Sequence, residues 1–103
     1  MLSDVPARWL AYQKTGNDKL FDAWVKVDRA VRDDAEEGWR LILELVALAA
    51  GNSEALSSIG AGPLEDLMRW HRTPYLDLSE GEAARNQPLA DALHVARYPG
   101  HEF

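Results

Sequence analysis

A chain of 103 residues, 47 % apolar and with four tryptophans, has material for one packed core and not for two. Its 17 acidic residues outnumber 11 basic ones, for a net charge of −6, which argues against nucleic acid as a partner, since such a binder needs a basic face to displace counterions. The absence of cysteine excludes disulfides, thiolate metal sites and a cysteine nucleophile, and fits a reducing cytoplasm as the expected location.

The start, MLSDVPARWL, lacks the basic region and apolar run of a secretion signal. Asp4 or Ser3 is placed to cap a first helix, and Pro6 is tolerated in its first turn. Trp9 and Tyr12 share a face of that helix, with Val5 behind them. At TGND, 15–18, Gly16 suits a left-handed stop and Asn17 a new N-cap. The second helix is predicted over 18–32. Leu20, Trp24, Val27 and Val31 form its apolar stripe, widened by Phe21 and Val25, and Asp22 faces Lys26 one turn on.

Asp34 followed by Glu37 resembles a capping box and opens the third helix. From Trp39 to Ala50 it is apolar on nearly every side, with Glu44 the exception, so it is expected at the centre and covered all round. Its longest apolar run, 41–50, is too short to cross a bilayer, so no membrane association is expected. Gly51 to Ser53 end it. A short helix over 54–59 leads to IGAGPLEDLMRWH, 59–71, and a further helix is predicted over 63–72. Thr73 then serves as N-cap with Pro74 behind it, Ser79 and Glu82 have capping-box spacing, and Pro88 opens a last helix carrying Leu89, Ala92, Leu93 and Ala96 on one face. No segment alternates with period two long enough for a strand. The expected fold is therefore all-α: one domain over 1–98 and a tail over 99–103, with six or seven short helices around a central apolar helix at about 35–50. Trp9, Trp24 and Trp39 read as one large anchor per helix.

The segment GAGP invites comparison with a phosphate loop. Pro63 removes a backbone donor, no Lys or Ser/Thr follows at the required spacing, and Glu65 and Asp66 put negative charge where an anion would sit. The residues instead predict a structural corner: Gly60 ends one helix in a left-handed conformation, Gly62 caps the next, and Pro63 sets its first φ. Leu64, Leu67, Met68 and His71 then line one face, and Glu65 pairs with Arg69.

AGPLEDLMRWH, preceded by AWVKVDRAV and EGWRLILELVALA, resembles a family of small uncharacterised bacterial domains with an AGPLEDLL-like signature, over roughly 22–77. The chain departs from that signature at Met68, where a second leucine is typical, and at His71–Arg72, where His-Gly is common. The resemblance implies a helical domain from a bacterium or phage and carries no chemistry with it.

Candidate chemistry is sparse. His71, at a helix C-terminus, and Asp77, six residues on, are the catalytic candidates, as a general-base pair in a small hydrolase or isomerase. A histidine making a local capping bond is the plainer reading. Asp91 and His94 are a single D-x-x-H, whereas a di-iron bundle needs two Glu-x-x-His motifs, so neither metal nor cofactor is expected; His101, in the tail, has no context. Lys26, Arg29 and Arg32 are diluted by Asp28, Asp33 and Asp34. The favoured function is a non-catalytic module that binds and blocks another protein, such as an immunity or anti-defence protein, with acidic charge steering a basic partner. Trp70, Tyr75, Tyr98, Glu65 and Asp66 are the partner-binding candidates, with core packing the competing expectation for Trp70. Either function is compatible with a homo-oligomer.

Overall fold

Helix boundaries follow from local chemistry at nearly every junction. The structure, a computed structural model, describes residues 4–96. Ser3, Tyr98, His101 and the tail over 99–103 lie outside the described residues. Helix α1 spans Val5–Thr15 with Pro6 in its first turn, and Gly16 ends it at φ 66°. The side chain of Asp4 makes no cap hydrogen bond; the Asp4 carbonyl instead accepts from Arg8 N. Asn17 Oδ1 accepts from Lys19 N at 3.0 Å and starts a 3-10 turn, Asp18–Leu20, that runs into α2, Phe21–Asp33. Asp34 Oδ1 accepts from Glu37 N and opens α3, Ala35–Leu48. The Glu37 carboxylate does not complete a capping box but pairs with Arg40, whose N–H groups hold that carboxyl below its ordinary range.

Beyond Gly51 and Asn52 the chain enters α4, which runs through Ser53–Ile59, Gly60–Leu64 and Glu65–Trp70 without leaving right-handed helical conformation. Helix α5, Arg72–Ala83, is broken near its start by an extended Thr73 (φ −103°, ψ 128°), so its regular part begins at Pro74 as the sequence suggests. Asn86 caps α6, Gln87–Val95, through a 3.1 Å bond from Leu89 N. These six helices, with no strand among the described residues, make an all-α bundle.

The predicted corner is not a corner. Gly60 sits at φ −63°, ψ −45°, in the helix rather than at a left-handed stop, and Gly60–Leu64 form a π-helical stretch. The cause is Pro63. Inside an α-helix its ring would clash with the carbonyl four residues back and waste that carbonyl's hydrogen bond, at a cost of about 3 kcal/mol. The helix here is wider: Glu65 N–H reaches back five residues to Gly60 O. Gly60 is there for packing, since a Cβ would lie 2.0 Å from Ala92 O, where α4 and α6 touch backbone to backbone.

Core positions follow the apolar periodicity in α4 and α6. Leu64, Leu67 and Met68 are fully buried, as are Leu89, Ala92 and Ala96. In α2 the expected stripe shifts. Ala23, Val27 and Val31 face inward, while Trp24 is 36 % and Phe21 45 % exposed. Near the end of α2 the crossing with α3 is close, for a Cβ on Gly38 would stand 2.8 Å from Val31 Cα. Only Trp9 of the three evenly spaced tryptophans is a buried anchor; Trp39 is half-buried against Tyr75. Helix α3 buries Leu41, Ile42, Leu45 and Val46 but is not covered all round, for Leu48 is 59 % exposed. Ser79 caps nothing. It lies in the middle of α5, buried, and its hydroxyl has no partner among the described residues.

Candidate functional site

Three helices each contribute residues one turn apart to a single cleft. From α1 come Trp9 and Gln13; from α2, Trp24 and Asp28; from α4, Ser58, Gly62 and Asp66. Spacing of four puts each set on one side of its helix. Val27, Val31 and Pro63 complete the walls of a cavity of about 100 Å³. Pro63, buried in the π-helical stretch, and the bare Gly62 beside it keep this wall low. Gly62 lies within 4.0 Å of the Trp9 ring.

Two carboxylates face this space. Asp28 uses Oδ2 for an ion pair with Arg32 at 3.1 Å. Asp66 accepts no hydrogen bond among the described residues, and its nearest cation, Arg69 Nη1, is 3.9 Å away. Burial pushes the Asp66 carboxyl above its ordinary value; Asp28 and Glu65 add to the rise, while Arg69 and Arg32 oppose it. A desolvated acid in a cleft is a recognised mark of a working site.

One lining residue, Trp24, belongs to an aromatic cluster. The Trp24 and Phe21 rings stack at 5.5 Å with planes 8° apart, and Tyr12 tilts onto Phe21 at 5.7 Å. Arg8 fixes this end of α2 to α1 by gripping both oxygens of Asp22, at 2.5 and 2.8 Å, which lowers the Asp22 carboxyl.

Of the site residues expected from sequence, Asp66, Gly62 and Pro63 meet in this cleft. Glu65 lies beside them, bound to Arg69 at 3.4 Å. Trp70 is 58 % exposed, so it is a surface residue and not a core one. Tyr75 is half-buried, its ring 6.2 Å from that of Trp39. The His71 ring Nε2 donates to the Arg32 carbonyl at 2.8 Å, tying the end of α4 to the end of α2. Asp77 is exposed and makes no bond to His71. Sequence reasoning missed Trp9, Trp24 and Asp28 as site residues. Its available signal was Asp28 itself, a carboxylate at i+4 from Trp24 on the margin of the apolar stripe.

Among the described residues, no three His, Asp or Glu side chains gather as metal ligands, and no helix is long and apolar enough to cross a membrane. The fold and cleft define a small all-α domain with an acidic, tryptophan-walled surface pocket. The chain belongs to a family of unknown function, DUF6869, whose profile matches residues 11–96. No curated protein and no solved structure matches it.

Proposed function

We propose that the protein is a non-catalytic binding module that docks onto, and blocks, a basic partner protein. The observation that carries this reading is the exposure of three large aromatics, Trp70, Phe21 and Trp24, of which Trp24 lines an acidic cleft and stacks on Phe21. Tryptophan and its aromatic neighbours are the residues that anchor interfaces, and burying each against a partner removes apolar surface from water. A net charge of −6 would speed encounter with a basic surface. A bacterial or phage cytoplasm, with an immunity or anti-defence role, is the setting we favour. The alternative of a small hydrolase or isomerase using His71 and Asp77 draws less support, because the His71 ring is engaged by a backbone carbonyl and not by a carboxylate.

The test is isolation of the tagged chain from its own host at low ionic strength, followed by sedimentation and mass spectrometry. A stoichiometric complex with one basic protein, loosened as salt is raised, is expected. Trp24→Ala and Trp70→Ala should each weaken it. A chain that sediments alone at every salt concentration, or as nothing but its own oligomer, would refute the reading.

A further inference from the structure

We propose that the cleft between α1, α2 and α4 receives one arginine side chain of the partner, its guanidinium laid against Trp24 and its N–H groups shared between Asp28 and Asp66. This rests on the binding-module reading above and names the group that the module recognises.

The shape sets the first limit. A cavity of about 100 Å³ has room for one planar head group and too little for a folded segment. The charge sets the second. Asp28 spends Oδ2 on Arg32, which leaves Oδ1 without a bond among the described residues. Asp66, half-buried and without a donor, holds a carboxylate that the protein's own cations approach no closer than 3.9 Å. A partly buried carboxylate that accepts no hydrogen bond is stabilised by a cation that brings hydrogen bonds with it. The Gln13 side chain, on the α1 wall, adds a further acceptor.

Arginine suits these walls better than lysine. The two carboxylates stand on different helices, and a fork of five N–H donors can address both at once, whereas an ammonium is a point charge. The indole of Trp24 gives a flat surface for a flat cation, and the Phe21 ring stacked on it, with planes 8° apart, holds that indole in place. Arg32 and Arg69 reach Asp28 and Asp66 at 3.1 and 3.9 Å without themselves lining the cleft.

The isotope-labelled full chain is titrated with N-acetyl-arginine methylamide, followed by nuclear magnetic resonance, with the matching lysine and citrulline compounds as controls. Saturable shifts are expected at the Trp24 indole N–H and at the amides of Gln13, Gly62 and Asp66. Lysine should bind several-fold more weakly, and the uncharged citrulline should not bind. Asp28→Asn and Asp66→Asn should each weaken arginine on the order of tenfold, with the dispersed amide spectrum reporting that each variant is folded. Glu80→Gln, on the exposed side of α5, should change nothing. Equal shifts with citrulline, or an arginine response untouched by Asp66→Asn, would overturn the proposal. A host complex indifferent to both Asp variants would sink the arginine site alone. Absence of any host complex would sink the module reading, and the titration would then decide the site by itself.

Discussion

Gly60 and Gly62 stand two residues apart and answer to different constraints. A methyl group on Gly60 would overlap the Ala92 carbonyl at 2.0 Å, and the atoms it meets are backbone, which cannot swing aside. Gly60→Ala is therefore expected to cost about 1–3 kcal/mol, read from the midpoint of urea unfolding. Gly62 has only the Trp9 ring within reach, at 4.0 Å, so Gly62→Ala should be neutral or stabilise by about 0.4–1 kcal/mol through the unfolded chain. Equal losses at the two positions would contradict a continuous helix and revive the corner. The sequence marked these glycines as special but could not assign the reason. A left-handed stop and a close backbone approach select the same residue, and only the position of α6 separates them.

Helix ends were the best-read features of the chain, because a cap is a bond between neighbours in sequence. Asn17, Asp34 and Pro88 stand where their chemistry placed them, and Asn52 and Asn86 act by the same bond. Asn86 ties the first turn of α6, whose Leu89 and Ala92 are fully buried. Asn86→Ala should lower stability by about 1 kcal/mol, whereas Asn86→Ser should restore most of it. A thermal melt that does not move in the alanine variant would show that packing of α6 on α4 and α5, and not its cap, holds the element. Helix faces were read less well. Trp24 fell on the predicted stripe of α2, yet Ala23, Val27 and Val31 are the residues taken into the core and the indole is 36 % exposed. Leu48 is exposed although α3 looked apolar all round. Hydrophobicity alone orders residues by preference, and the depth available at a crossing decides which of them is taken in.

Stability of the whole bundle carries the signature of its cleft. Asp66 has a folded pKa above its ordinary value of 3.8, with burial the chief cause. The native state thus holds its proton more tightly than the unfolded chain, and stability falls as pH rises through the interval between the two values. Above that interval the ionised Asp66 is a standing cost. Asp66→Asn should raise the urea midpoint at pH 7, and the gain should shrink away by about pH 3, below the ordinary carboxyl value. Asp22 works in the opposite sense: Arg8 lowers its pKa, so its contribution is present above the unfolded value and is lost as pH falls through the folded one. If Asp66→Asn lowers the midpoint at neutral pH, the carboxylate is better satisfied than its geometry indicates. A stabilising substitution that weakens binding is the pattern expected of a residue kept for recognition.

The order of residues along the chain determined its helical class, most helix boundaries, the apolar faces of α4 and α6, and the exclusion of cysteine chemistry. All of these rest on contacts within a turn or two. Tertiary structure alone decided that GAGP continues a helix, that Trp24 and Trp70 face solvent, and that Trp9, Asp28 and Asp66 share one cleft. Those outcomes depend on how closely helices far apart in sequence approach one another, and that spacing is set by the packed core as a whole.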